Sequence, residues 1–482
     1  MVYVVLACIL LGYPAYFSVA HFRLNQPFSD IWQHIAAINA LMENLSDPGN
    51  PFIATDDPSR HFSLYWVAAA WIGLTFDMDV WSVLRLCTYF SMLVLGTGIY
   101  VFSRSYSRSP WFAPVLLVVL LFGWVAPYRH TGMHNFQTLL YAAVYPATLM
   151  IGVSFMLWAA VIRGLRSYKF LPAVTFVMLV MFVTHQLGAA IGFAVAGAFA
   201  IFHHDVPLRR RVAVVGAMAA GLVLSLAWPY YNPIGLMLAS GNSSWSGGPD
   251  FYGPPTLPFM LVPIGLALVA MRYTRARALL AAMCILLAIY AVGFVGPQIA
   301  GRFLTGAVLI AHIALTEAIL AWASRLTLRR STVMSAFVGS AVIVSAAFFY
   351  LVRDYEGHFD NLTASSPMHF DSVAELVSDI DDNSTVAAFR YVAWPVAATG
   401  TKVHSVPWPE PGIPDLASRQ TDTERLFATD QSPEARLELA QSLGIRTLIV
   451  DRRNLHSWQE DLLRAHAVAS RQVGTVIRLD LY

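Results

Sequence analysis

The chain has 482 residues, 57% hydrophobic and 12% charged, where an ordinary soluble domain has about 45–50% apolar and about 25% charged residues. That is the composition of an integral membrane protein. Its 31 basic and 29 acidic residues leave a formal charge of +2, too small an excess to suggest a nucleic-acid partner, and Cys8, Cys87 and Cys284 all sit in apolar runs where neither a disulfide framework nor a thiolate metal site is expected.

The opening stretch MVYVVLACILLGYPAYFSVA has no basic leader and no small-residue cleavage site, so it is read as a retained first span. In FSDIWQHIAAINALMENL, residues Ile31, Ile35, Ile38, Leu41, Met42 and Leu45 recur at helical period. The pattern predicts an amphipathic helix on the outer leaflet, with Ser29 or Asp30 at its N-terminus, broken by SDPGNPF. The 16 residues HFSLYWVAAAWIGLTF at 61–76 fall short of the roughly 20 needed to cross a bilayer. Read as interfacial or re-entrant, they leave 21–81 as one external loop.

Further apolar runs at 82–103, 110–128, 139–162, 169–185, 187–203, 211–228, 256–271, 278–296, 303–324 and 332–352 bring the expectation to about eleven spans, several needing tilt or local thinning. Basic loops stay cytoplasmic, and RGLRSYK, RRR, RYTRAR and RLTLRR fall at 163–169, 209–211, 272–277 and 325–330. This parity puts 128–138, 229–255 and everything after Arg353 outside. Beyond Arg353 the charge becomes dense, and the pattern reads as strand TVAAFRYV, strand KVHSVP, a proline-rich loop PWPEPGIPD, helix SPEARLELAQSLG, strand RTLIVD, helix SWQEDLLRAHAVA and strand TVIRLDLY. The expected organisation is therefore an α-helical polytopic module over 1–352, with interfacial helices in its first external loop, and an exported soluble α/β domain over 353–482.

Ionisable groups beside a bilayer are functional candidates because their desolvation must be compensated. Asp30 starts the interfacial helix just past the first span, where a carboxylate can take a proton from an acceptor hydroxyl in the plane of a lipid-linked donor; the competing role is a helix cap. His34 lies one turn on. In VGFVGPQIAGRFLTGAVLIAH, Arg302 is a single cation at the external edge of a span among glycines and a proline, where a guanidinium either matches a phosphate or snorkels to the interface. Arg129, Arg85 and Arg60 are further candidates for the same anion. His130, His134 and Asn135 stand in the second external loop, where histidines can bind an acceptor or a divalent metal ion, while His185 reads better as an interface histidine. Trp245 and Tyr252 mark a glycine-rich loop of sugar-contacting composition. No Gly-rich strand–turn–helix element or P-loop suggests a nucleotide donor.

A first span, a long external loop opening with Asp30 on an interfacial helix, the NPF break, the aromatic run HFSLYW beginning at His61, and Arg85 in the next span resemble the membrane-bound C-type glycosyltransferases. These include protein O-mannosyltransferases, lipid A aminoarabinose transferases and arabinofuranosyltransferases. The resemblance implies a polyprenyl-phosphate-linked sugar as donor, a glycan, lipid or protein hydroxyl as acceptor, and a bacterial plasma membrane with the active site and C-terminal domain outside. It assigns Asp30 as the catalytic acid residue of the first loop and Arg302 as the donor-phosphate contact, with Arg85 and Arg129 as further phosphate ligands. His34, His61, His130, His134, Asn135, Trp245 and Tyr252 become acceptor or sugar contacts. Family members often carry a second acidic residue in the next external loop; YRHTGMHNFQ has none, which leaves any metal undefined. A polysaccharide polymerase or ligase, or a transporter built on Glu317 and His312, are the alternatives.

Overall fold

The computed structural model describes residues 1–23, 30–124, 132, 134–203, 205–240, 256–274, 277–296, 298–325, 332, 339, 369–381, 384–408, 410, 412–455 and 457–482. In chain order its helices are α1 (Val2–Arg23), α2 (Ile31–Glu43), α3 (Leu64–Phe76), α4 (Val80–Tyr106), α5 (Phe112–Phe122), α6 (Phe136–Ala142), α7 (Pro146–Arg166), α8 (Leu171–Thr184), α9 (Gln186–Phe202), α10 (Leu208–Ser225), α11 (Pro233–Ser240), α12 (Thr256–Thr274), α13 (Arg277–Val292) and α14 (Phe303–Ala323). The C-terminal part adds α15 (Phe370–Val377), α16 (Ala393–Ala398), α17 (Leu416–Phe427), α18 (Pro433–Ser442) and α19 (Ser457–Ala465), with strands β1 (Thr385–Ala388), β2 (Lys402–Val403), β3 (Thr447–Asp451), β4 (Ala469–Val473) and β5 (Val476–Asp480). Two compact units emerge: Met1–Val19 with Leu86–Tyr355, and Ala20–Arg85 with Glu356–Tyr482.

In the first unit the helices approach closely because small residues let backbones touch, the device on which packing in lipid depends. A Cβ on Gly98 of α4 would lie 2.1 Å from the carbonyl oxygen of Gly152 on α7, and one on Gly152 would lie 2.7 Å from the Leu95 backbone. Trp158 of α7 donates from its indole nitrogen to the Gly192 carbonyl of α9 at 3.0 Å, and Thr175 of α8 donates to Ala217 O of α10 at 2.9 Å. Among the described residues, four helical stretches are long and apolar enough to cross a membrane: Val2–Ala20, Val80–Tyr106, Pro146–Arg166 and Ile299–Ala323. Other expected spans correspond to shorter apolar helices such as Phe112–Phe122 and Gln186–Phe202. The last expected span, 332–352, lies outside the described residues except for Thr332 and Gly339.

In the second unit the sheet order is β2-β1-β3-β5-β4. β1 runs parallel to β2 and β3, pairing Ala388 with Ile449, while β5 is antiparallel to both β3 and β4. β3 is buried at every position, as a central strand covered on both faces must be, and its Leu448 and Val450 join Leu426, Phe427, Ala440, Leu463, Ile477 and Leu479 in the core. The strand expected over TVAAFRYV stops at Ala388, because Arg390 adopts a φ of 55° and turns the chain into a 3-10 turn and α16. The helix expected over SWQEDLLRAHAVA ends at Ala465, and Ala469–Val473 forms the edge strand β4 instead.

The segment 20–85 belongs to this second unit. Phe52 O accepts from Val403 N at 2.8 Å, and Lys402 Nζ donates to Asn50 O at 2.7 Å, so residues 50–52 run along β2. α2 packs against both α3 and α16, and Asn39 Nδ2 donates to Ala398 O at 2.9 Å. Its burial is therefore not confined to the apolar stripe: Trp32, Ala36, Ala37 and Ala40 are buried as well. α3 has 13 residues, about 20 Å of helix against an apolar core of about 30 Å, and exposes Trp71, Leu74 and Phe76.

Glycine contacts give a direct check on the first unit. Gly152→Ala should lower the thermal unfolding midpoint in detergent by several degrees, since backbone is a neighbour that cannot yield. Gly216→Ala, with nothing within 4 Å of the new Cβ, should leave it unchanged or raise it through helix propensity.

Candidate active site

Asp30 occupies the N-cap of α2 with φ −71° and makes no side-chain capping bond. Its carbonyl, not its carboxylate, receives the first-turn N–H groups of Gln33 and His34, at 3.0 and 3.3 Å. The exposed carboxylate is thus not committed to the helix end. One turn further, half-buried His34 lies over Trp66 with ring centroids 4.8 Å apart and meets the His61 ring edge-on at 5.6 Å. His61 is buried and also meets Phe52 edge-on at 5.2 Å.

Behind His61 stands a carboxylate that sequence reasoning missed. Glu410 is 2% exposed; its Oε2 lies 3.3 Å from Arg60 Nε and 3.6 Å from His61 Nε2. Burial pushes this carboxyl up, but the charges of Arg60 and His61, together with the polar contacts of the His61 ring and the Arg60 backbone, hold the group below its ordinary range. Glu410 sits in PWPEPGIPD, whose prolines announce a loop and no period, so nothing local points to partners some 350 residues earlier. Arg85, on α4, is half-buried, and its Nε is buried with no hydrogen-bond partner among the described residues.

The remaining candidates lie in the first unit. Arg302 is the N-cap of α14, ending a 3-10 turn over Gln298–Arg302, and its carbonyl accepts from Thr305 Oγ1 at 2.8 Å. The helix dipole opposes a cation there and favours an anion. His134 is buried, and desolvation, then the neighbouring His185, push its pKa down to about 3. His185 caps α9, its Nδ1 accepting from Gly188 N at 3.0 Å. Asn135 caps α6, its Oδ1 accepting from Thr138 N at 2.8 Å, which gives that side chain a structural task. Arg129, His130, Trp245 and Tyr252 lie outside the described residues. Among the described residues no group of three or more His, Cys, Asp or Glu side chains is placed to hold a metal ion. Glu317 is hydrogen-bonded to Tyr106, and His312 is buried with its ring edge-on to Trp124 at 5.2 Å.

No protein-family model and no curated protein matches the chain in sequence. Solved structures do match in fold. ArnT from Cupriavidus metallidurans, bound to undecaprenyl phosphate, superposes with a TM-score of 0.58 at 12% identity, covering 100% of this chain and 97% of that one. The arabinofuranosyltransferase AftD from Mycobacteria gives 0.56 at 15% identity, covering 95% of this chain and 40% of that one. The Archaeoglobus fulgidus oligosaccharyltransferase tethered to an acceptor peptide gives 0.52 at 11% identity, covering 92% and 69%. The fold is that of the C-type membrane glycosyltransferases, as the first-loop pattern implies.

The state of His134 has a measurable consequence. Its native pKa of about 3 lies below the ordinary 6.5, so its contribution to stability is complete above about pH 6.5 and is lost as pH falls, because the unfolded chain takes up a proton that the native chain refuses. Between those limits the thermal midpoint of the wild type should drop with acidification, and His134→Phe should show a shallower drop.

Proposed function

We propose that this chain, built on the C-type glycosyltransferase fold, moves a sugar from a polyprenyl-phosphate donor to an acceptor hydroxyl at the external face of a bacterial plasma membrane. The observation that carries the reading is Asp30: an exposed carboxylate at a helix start that does not cap the helix. Asp30 takes the proton of the acceptor hydroxyl as its oxygen bonds to the anomeric carbon. The bond from that carbon to the phosphate oxygen breaks, and the electron pair leaves with polyprenyl phosphate. General-base assistance of this kind contributes about 10²–10⁴-fold.

Arg302 and Arg85 are assigned to the donor phosphate, each by its own surroundings: Arg302 by the helix N-terminus it caps, Arg85 by the buried Nε. Arg129 shares that assignment from sequence. His34 and His61 are assigned to acceptor or sugar hydroxyls, as are His130, His134, Asn135, Trp245 and Tyr252 from their loop positions. Support for a lipid phosphate and an acceptor comes from the neighbours in fold: one is bound to undecaprenyl phosphate and another is tethered to an acceptor peptide. A transporter would need paired charges within its helices, whereas Glu317 is partnered by the phenol of Tyr106. A polymerase or ligase would draw on Arg and His in a late external loop, and 229–255 contains neither.

Asp30→Asn keeps size and polarity but removes the proton acceptor, so transfer should fall by about a hundred- to ten-thousand-fold with an unchanged thermal midpoint. Asp30→Ala should match it in both respects, because no capping bond is lost; a cap would instead make Ala the less stable variant by about 1 kcal/mol and leave Asn active. Near-normal transfer by Asp30→Asn would remove Asp30 as the base. Kinetics at varied donor concentration test the phosphate assignment: Arg302→Ala should raise the donor KM, and Arg302→Lys should recover only part, lacking the bidentate fork.

A further inference from the structure

The loop carrying Glu410 is locked against the segment before α3 by more than its charge. A Cβ on Gly412 would lie 1.9 Å from the carbonyl oxygen of Pro58, and Val403 N bonds Phe52 O. Packing and backbone already join the two segments, so a buried ion pair is not required for that purpose. It is also a poor way to gain stability, since desolvating a carboxylate costs several kcal/mol and apolar replacements are often neutral or better. The asymmetry of exposure is informative: the Glu410 side chain is 1% exposed, while that of Arg60 is 37% exposed. The anion is buried and the cation reaches the surface.

A guanidinium carries five donors in a rigid fork. Arg60 Nε lies 3.3 Å from Glu410 Oε2, an ion pair without hydrogen-bond geometry, and the opposite edge of a guanidinium, its two terminal nitrogens, is the one that binds a phosphate in two parallel hydrogen bonds. We infer that Glu410, contributed by the C-terminal domain, is a positioning residue whose charge, within 3.3 Å of Arg60 Nε and 3.6 Å of His61 Nε2, orients Arg60 so that it receives the phosphate of a lipid-linked donor. This rests on the reading of the chain as an enzyme using such a donor. Fixing Arg60 in advance removes rotamer entropy that binding would otherwise cost, and it gives the C-terminal domain a direct part in donor recognition.

The test uses the full chain purified in detergent and radiolabelled undecaprenyl phosphate as probe, with equilibrium binding as readout. Glu410→Gln should weaken binding about tenfold, the scale of one close charge pair, and Glu410→Asp should recover part of the loss. Arg60→Ala should weaken binding by a similar factor. The double variant Arg60→Ala with Glu410→Gln should bind no worse than Arg60→Ala alone, because a residue acting only through Arg60 has nothing left to act on. Unchanged binding in a folded Glu410→Gln, additive losses in the double variant, or no binding by the wild type would each overturn the inference. Should Glu410→Gln fail to fold, Arg60→Ala decides, since wild-type affinity in that variant excludes the role. Transfer is measured in parallel: wild-type binding that depends on Glu410 without any sugar transfer would contradict the enzyme reading alone, and transfer with Glu410-independent binding would contradict this inference alone.

Discussion

One buried carboxylate organises the unit that carries Asp30. Glu410 lies within 3.6 Å of cationic or imidazole nitrogens from two successive residues, Arg60 and His61, and those two residues immediately precede α3. His61 then meets His34, which stands one helical turn from Asp30. Two halves of the unit, far apart in sequence, therefore share a single polar network, and its members come from a helix, a turn and a proline-rich loop. Removing one partner of such a network leaves an uncompensated charge in a dry place, which costs more than the network itself contributes to stability. Such a network controls geometry more than it supplies folding energy.

The other unit solves a different problem. Helices surrounded by lipid gain little from burying apolar side chains against one another, so close backbone approach and indole or hydroxyl bonds to carbonyls hold them. Gly98 against Gly152, Trp158 to Gly192 and Thr175 to Ala217 are these contacts. They provide a rigid frame on which the residues at helix ends, Arg302 and His185 among them, keep fixed positions. Rigid placement is what the proposed transfer would require, because a small displacement of a phosphate contact is enough to lose the alignment on which rate depends.

Much of this was legible in the sequence, wherever the signal was local. The helical period around Ile31, Ile35 and Ile38 marked α2, the shortness of 61–76 marked α3 as unable to cross unaided, and β-branched runs marked β1, β3 and β5. The glycosyltransferase fold followed from Asp30, NPF, HFSLYW and Arg85 taken together. Long-range terms were invisible. The stripe on α2 predicted one buried face, but α2 packs against both α3 and α16, and Ala36, Ala37 and Ala40 are buried as well. α17 was missed because its helix, LASRQTDTERLF, buries few side chains, and β4 because an exposed edge strand carries no alternation. Asp30 and His34 are candidates that sequence position alone suggests, whereas the place of Glu410 depends on contacts made only after folding.

The roles proposed for Asp30 and for a lipid phosphate converge on a single expectation: sugar must leave a polyprenyl-phosphate carrier when this chain is present. The most direct measurement incubates membranes containing the protein with a panel of radiolabelled polyprenyl-phosphate pentoses and hexoses and follows label out of the lipid fraction. With at least one donor, label should pass to an acceptor fraction and polyprenyl phosphate should appear in equal amount. No loss of label from any donor, combined with solute counterflow in liposomes reconstituted with the same protein, would contradict the account.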